Sequence, residues 1–253
     1  MRNRRGRVLD GLLLLDKPVD LSSNHALQRA KRLFDAQKAG HTGTLDPFAT
    51  GLLICCFGRM TKLAGRMLEA DKTYFATLQF GVQTDSGDPT GTVTYQHEGD
   101  VAIDATMLES VLGQFEGEIE QLPPMTSALK HKGKPLYTYA RQGIEIERQP
   151  RKVTIHGLRL ISIEGTQACV EVDCSKGTYI RTLAQDIGLV LGVGAHLVGL
   201  RRTRIGPFDL ANAYTLEQLA ELEQIDSALI RSTELPNELK DALSPLVVAS
   251  ASV

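Results

Sequence analysis

Cysteine is scarce, with four in 253 residues, and none has the spacing of a metal site. Cys55 and Cys56 are adjacent, while Cys169 and Cys174, an odd number of residues apart, face opposite sides of a strand. So few in a chain this long cannot form a disulfide framework, and buried free thiols are expected. Long hydrophobic runs are missing too. After the basic start Met1–Arg7, the first apolar segment is interrupted by Asp10 and Asp16, leaving only Leu12–Leu15 unbroken. That is too short for a signal peptide or a membrane span, so a cytoplasmic location away from membranes is expected. No internal repeat, low-complexity tract, nucleotide-binding loop, metal cluster or flavin motif occurs, and neither a cofactor nor a metal is expected.

Strong charge is also lacking. The net charge of −2 at first argues against a nucleic-acid partner. It conceals a gradient: residues 211–253 hold seven acidic side chains against Arg231 and Lys240, a local −5, which leaves +3 on residues 1–210. With 42% hydrophobic and 23% charged residues, the chain can bury the core of one large domain or two smaller ones.

The patterning is that of an α+β protein. Gly11–Leu15 reads as a strand, and Ser22, Ser23 and Asn24 are N-cap candidates for a helix whose stripe is Ala26, Leu27, Ala30, Leu33 and Phe34, with Arg29 and Arg32 outside it. Leu52–Phe57 suits a buried strand and Thr61–Leu68 a short helix. Lys72–Gly81 alternates as a strand with Tyr74, Ala76, Leu78 and Phe80 on one face, and the turn chemistry of residues 85–91 joins it to Thr92–His97 as a long hairpin. Asp104–Phe115 reads as a helix, Arg151–Ile163 and Ala168–Cys174 as strands, Thr178–Leu191 as a helix, and the stretch from Leu216 to Ile230 as helical. Hairpin-joined strands with irregularly placed helices favour α+β over a doubly wound parallel sheet. Between Gln121 and Pro150 the pattern is irregular and basic, as in a solvated loop or a nucleic-acid contact surface; Tyr137 and Tyr139, interleaved with Lys130, Lys132 and Arg141 and able to stack on bases, favour RNA.

The densest signal is Gly40-His41-Thr42-Gly43-Thr44-Leu45-Asp46-Pro47-Phe48-Ala49-Thr50-Gly51. One carboxylate sits in a glycine-punctuated loop directly before an apolar strand, with Pro47 restricting Asp46 to extended conformations and Gly40, Gly43 and Gly51 free to take angles closed to other residues. Taken alone, Asp-Pro among glycines is an ordinary surface turn. Likewise, Arg181 alone is a surface arginine, Tyr74 a core-facing aromatic, His41 a polar loop residue, Tyr179 helix packing and Leu200 core. A cation in the first turn of a helix does oppose the helix dipole by roughly 0.3–1 kcal/mol, so Arg181 is expected to have an acidic partner elsewhere.

The loop closely resembles the catalytic loop of the TruB family of pseudouridine synthases, Gly-His-Thr-Gly-x-Leu-Asp-Pro-x-Ala-Thr-Gly. Further matches follow in order at Asp16-Lys17-Pro18 with Ser22-Ser23-Asn24, at Ser127-Ala128-Leu129-Lys130, and at Cys174-Ser175-Lys176-Gly177-Thr178-Tyr179-Ile180-Arg181. The resemblance spans about Gly11 to Phe208. It implies a catalytic domain over residues 8–210 with the pseudouridine-synthase fold, a mixed, largely antiparallel sheet flanked by helices, carrying an RNA-contacting insertion at about 121–150. It implies Asp46 as the essential carboxylate, Arg181 as its ion partner and Tyr74 over the uracil ring. His41 is implied to contact RNA where the target has left its stack, and Tyr179 and Leu200 to line the uridine pocket. Lys130, Lys132, Arg141, Arg201 and Arg202 are the candidate backbone contacts.

The expected function is therefore isomerisation of the uridine at position 55 in the T loop of tRNA, by a monomer needing no guide RNA, with the target base flipped out of its stack. A non-catalytic RNA-binding module and a hydrolytic nucleosidase are the alternatives; the latter normally uses a second carboxylate, and Asp20, Asp71 and Asp85 lie in no partnered motif. Family members usually continue into a small PUA-like domain. Only about 40 acidic, partly helical residues (211–253) follow here, so that domain is expected to be absent or truncated.

Overall fold

A computed structural model describes residues 6–241 and residue 243. The chain forms two compact units: one is the chain up to Ala70 together with the chain from Arg201 onward, the other Asp71–Leu200.

In the first unit, β1 (Gly11–Lys17) leads to α1 (Ser23–Leu33), β2 (Ala39–His41), β3 (Thr50–Phe57) and, after a 3₁₀ turn over Gly58–Leu63, α2 (Ala64–Glu69). β3 pairs antiparallel with β1 (Leu14 opposite Ile54) and with β2 (His41 opposite Cys55). Side chains alternate across a strand, and here both faces are covered. Leu13, Leu15, Leu53, Cys55 and Phe57 pack against Ala26, Leu27, Ala30 and Phe34 of the α1 segment, whereas Leu12, Leu14, Leu52, Ile54 and Cys56 pack against Met60, Leu63 and Met67. This two-sided burial is why the two strands read as continuous apolar runs. α1 starts where the sequence predicts, with the Ser22 side chain accepting from the His25 N–H; Arg29 and Arg32 are exposed, as is Leu33 at the end of the stripe.

The second unit begins with β4 (Lys72–Phe80), followed by β5 (Val82–Thr84), β6 (Val93–Gln96), α3 (Ala105–Leu112), β7 (Gly117–Gln121), β8 (Lys130–His131), β9 (Lys134–Pro135), α4 (Leu136–Ala140), β10 (Arg151–Glu164), β11 (Gln167–Cys174), α5 (Ile180–Val190) and the start of β12 (Ala195–Ile205). β4, β11, β10 and β7 pair in that order, all antiparallel. Tyr74, Ala76, Leu78 and Phe80 are buried on one face of β4, as their alternation requires. The long hairpin expected from Lys72–Gly81 to Thr92–His97 is not formed by β4. Gly81 turns the chain at φ +88°, and β6 pairs instead with the short β5 in a sheet of its own. The basic insertion carries more order than its composition suggests, with β8 and β9 closing a hairpin whose tip is Lys132 at φ +49°.

Back in the first unit, residues Arg201 and Arg202 of β12 run parallel to Thr50 and Gly51 of β3, and β13 (Phe208–Asp209) turns back on β12. α6 (Leu216–Glu221) and α7 (Asn237–Lys240) follow. The helix expected over 216–230 ends at Glu221. Ile230 exchanges both backbone hydrogen bonds with Leu12 of β1 (3.0 and 2.8 Å), and that pairing overrides local helical preference.

Candidate active site

The expected site residues fall in both units: His41 and Asp46 in the first, Tyr74, Tyr179, Arg181 and Leu200 in the second.

Asp46 is half-buried in the irregular segment between β2 and β3, and is not helical, as Pro47 requires. Its neighbours are pinned on both sides. Before it, Leu45 is buried, and its N–H donates to Ser23 Oγ (2.7 Å) while the same hydroxyl donates to the Leu45 carbonyl (3.0 Å). After it, the Pro47 carbonyl accepts from the Asp20 N–H (2.9 Å) and from Lys17 Nζ (3.3 Å), and the Ala49 N–H closes a turn on the Asp46 carbonyl (3.1 Å). Of the three loop glycines, Gly43 (φ +86°) and Gly51 (φ +100°) use left-handed angles; Gly40 lies within β2 and does not. His41, half-buried, is held below its ordinary pKa by burial and secondarily by the charge of Arg202, which favours the neutral imidazole.

Lys17 is wholly buried, and its ammonium also donates to the Pro18 (2.8 Å) and Leu21 (2.6 Å) carbonyls. Burial pushes its pKa down to about 8, against the opposing pull of the Asp46 and Asp20 charges. The unfolded chain keeps this proton up to 10.5, so between about 8 and 10.5 it binds more protons than the folded chain and stability rises with pH. That contribution is fully present above 10.5 and is lost as pH falls through 8. Compared with Lys17→Met in urea unfolding, the parent is expected to gain roughly 3 kcal/mol across this window. A flat difference curve would show the ammonium to be solvated. Burial raises the pKa of Cys55, Cys56 and Cys174, an effect of opposite sign that cancels in the difference.

In the second unit, Arg181 is the second residue of α5, and its side chain is only 5% exposed. Nη1 donates to Asp88 Oδ2 (3.0 Å), the Ser86 carbonyl (2.9 Å) and Thr126 Oγ (2.6 Å), and Nη2 to the Thr126 carbonyl (3.1 Å). The acidic partner expected for a cation in a first helical turn is thus present in Asp88, itself 6% exposed. Tyr179 is the N-cap of the same helix and makes no side-chain cap; the buried Gln121 amide serves its backbone, accepting from the Tyr179 N–H (2.9 Å) and donating to its carbonyl (3.3 Å). Tyr74 is buried on β4 opposite Val172, and Leu200, expected to line the uridine pocket, is half-buried on β12.

The five candidate RNA-backbone cations separate. Lys130, Lys132 and Arg141 are exposed on the insertion, with the Arg141 guanidinium 5.4 Å above the Tyr137 ring. Arg201 binds both Asp16 carboxylate oxygens (3.1 and 2.6 Å). Arg202 corrects the expectation of a surface phosphate contact: it is 2% exposed, and its guanidinium donates to the Leu52 (2.8 Å) and Gly43 (3.3 Å) carbonyls. The alternation of β12 turns it inward beside β3.

The sequence pattern of the TruB family pseudouridylate synthase N-terminal domain matches residues 31–180. The chain belongs to the TruB family. The pattern of the tRNA pseudouridylate synthase B C-terminal domain matches residues 181–249. Among TruB relatives, the tRNA pseudouridine synthase B of Bordetella pertussis is 63% identical over 96% of this chain and 100% of its own length. That of Chromohalobacter salexigens is 52% identical over 99% of this chain and 81% of its own. Among solved structures, a chain of a Cbf5–Nop10–Gar1 complex superposes with a TM-score of 0.68 at 30% identity, covering 92% of this chain and 59% of that one. The fold is that of the pseudouridine synthases, α+β with a largely antiparallel sheet flanked by helices.

Of the residues that organise the TruB loop and helix, Lys17, Asp88 and Gln121 have no role legible in the sequence, and Ser23 only that of a candidate N-cap. Lys17 and Ser23 lie in matched motifs, and Asp88 in a dense turn, so proximity to a motif was the available signal. Gln121 carries none. Among the described residues, no helix is long and apolar enough to cross a membrane.

Proposed function

We propose that this protein isomerises uridine to pseudouridine in tRNA, at position 55 of the T loop, with Asp46 as the essential carboxylate. The observation that carries the reading is the way Ser23 and Lys17 pin the chain on either side of Asp46 in a member of the TruB family. A reactive group held by its flanking backbone forfeits little of its binding energy to reorganisation.

The reaction breaks the bond from C1′ to N1 and forms one from C1′ to C5; N1 gains a proton and C5 loses one, with no net redox change. The target base is stacked within a folded loop and must be flipped out, at a cost of a few kcal/mol. Asp46 attacks the ribose carbon or the ring, or abstracts a ribose proton, and each route needs an ionised carboxylate. Arg181 is the ion partner proposed for it, and Tyr74 stacks on the uracil. Tyr179 and Leu200 line the nucleotide, and His41, neutral, contacts RNA at the vacated position. Lys130, Lys132 and Arg141 hold phosphates, supported by their exposure on one ordered insertion, so affinity falls with salt. The proposed setting is a cytoplasmic monomer acting without guide RNA.

The test is release of tritium from C5-labelled uridine in an unmodified T-arm hairpin, with purified protein alone. One label released per hairpin, lost when the target uridine is replaced by cytidine, is expected. Free uracil would indicate hydrolysis, and activity appearing only with an added guide RNA would overturn the proposed partner.

A further inference from the structure

We propose that Arg202 is a positioning residue for catalysis, clamping the Asp46 loop at its entry and its exit. The inference rests on the reading of Asp46 as the catalytic carboxylate. The loop leaves β2 after His41, passes Gly43, and enters β3 at Thr50–Gly51. Arg202 holds both ends. Its backbone lies against the exit, in parallel register with Gly51, so closely that a Cβ at Gly51 would sit 2.3 Å from the Arg202 carbonyl oxygen. Its side chain reaches the entry: Nη2 donates to the Gly43 carbonyl (3.3 Å), and Nε to the Leu52 carbonyl (2.8 Å) just beyond the exit.

The chemistry chosen for this position is costly. Arg202 and Lys17 are the two largest fully buried side chains among the described residues, and burying a guanidinium is unfavourable unless its geometry and hydrogen bonds are good. Filling the space alone would be served by leucine or methionine. A planar guanidinium instead presents several donors in a fixed fork, so it can bridge two carbonyls that lie nine residues apart in sequence, at Gly43 and Leu52. A lysine ammonium is a compact point charge on a flexible stem and cannot keep both contacts in one geometry. Lys17 holds the middle of the same loop through Pro47, and Arg202 holds its ends.

The experiment compares the parent, Arg202→Met and Arg202→Lys in single-turnover tritium release on the T-arm hairpin, in equilibrium binding of the same hairpin, and in amide hydrogen exchange. For Arg202→Met, binding is expected within about threefold of the parent, while the single-turnover rate falls about 100-fold, the size of effect a small misplacement of a catalytic group produces. Exchange should quicken at the Thr42, Leu45 and Ala49 amides, which are bonded across or beside the loop. Arg202→Lys, which retains the charge, is expected to recover less than about a tenth of the lost rate. If Arg202→Met does not fold, the lysine variant decides, a parental rate overturning the proposal and a rate lowered at least about tenfold upholding it. A parental rate in Arg202→Met, or a loss of binding as large as the loss of rate, overturns it. If the parent itself releases no tritium, the functional reading fails, while the exchange rates of the three amides still decide whether Arg202 clamps the loop.

Discussion

Asp46→Asn is expected to lower tritium release from the T-arm hairpin by at least about 10⁴-fold, the scale seen when an essential group is removed, with hairpin binding changed by no more than about threefold. The substitution is isosteric, and the hydrogen bond that shapes the turn uses the Asp46 backbone carbonyl, so the loop keeps its form. What disappears is the negative charge, which every route for the reaction requires. A second readout needs no substrate. The Asp46 charge is the larger of the two carboxylate contributions holding the Lys17 pKa up against burial, so in Asp46→Asn the Lys17 ammonium should lose its proton below the parental value of about 8. That is followed by ¹⁵N-detected titration. Undiminished tritium release would remove Asp46 from the mechanism, whereas an unmoved Lys17 titration with lost release would show that the two groups are further apart than the structure places them.

How much of this was legible in the sequence depends on the distance over which each feature acts. The Asp46 loop could be read because its determinants are local: Pro47 sets the backbone of the residue before it, and Gly43 and Gly51 mark left-handed positions. α1 could be read from the Ser22 cap and the Ala26–Ala30 spacing, and β4 from the alternation of Tyr74, Ala76, Leu78 and Phe80. Features set by tertiary contact could not. Lysine and arginine read as surface residues until a buried partner is known, so Lys17 was passed over and Arg202 was expected on a phosphate. The stop of α6 at Glu221 depends on Ile230 pairing with Leu12, more than 200 residues earlier in the chain. The partner of β6 was misjudged because residues 85–91 announce a turn without saying which preceding strand it serves, and the break at Gly81 assigns it to β5. Arg181 lies between these cases: its position in a first helical turn implied an acidic partner, but only the fold names Asp88.

Asp88→Asn is expected to destabilise the protein by about 3–5 kcal/mol, the range for removing one member of a buried ion pair. Every acceptor on this carboxylate is in use. Oδ2 faces Arg181 (3.0 Å), and Oδ1 accepts from Ser86 Oγ (2.8 Å), the Thr90 N–H (3.0 Å) and Thr90 Oγ (2.6 Å). An amide has one oxygen and one NH₂. With its oxygen toward Arg181, the NH₂ meets the Thr90 N–H, donor against donor; turned the other way, it meets the guanidinium. Hydroxyls can rotate to accept, but a backbone N–H cannot, so neither orientation satisfies the pocket. In both, the buried Arg181 charge loses the Asp88 carboxylate 3.0 Å away. Urea unfolding of Asp88→Asn, Arg181→Met and the double variant separates the causes. If Asp88 serves to compensate Arg181, the two losses should be coupled, the double variant losing less than their sum, because both single variants remove the same Asp88–Arg181 interaction. A double variant whose loss equals the sum of the two single losses would mean that Asp88 acts only through the Ser86–Thr90 turn. Arg181 would then owe little of its orientation to Asp88.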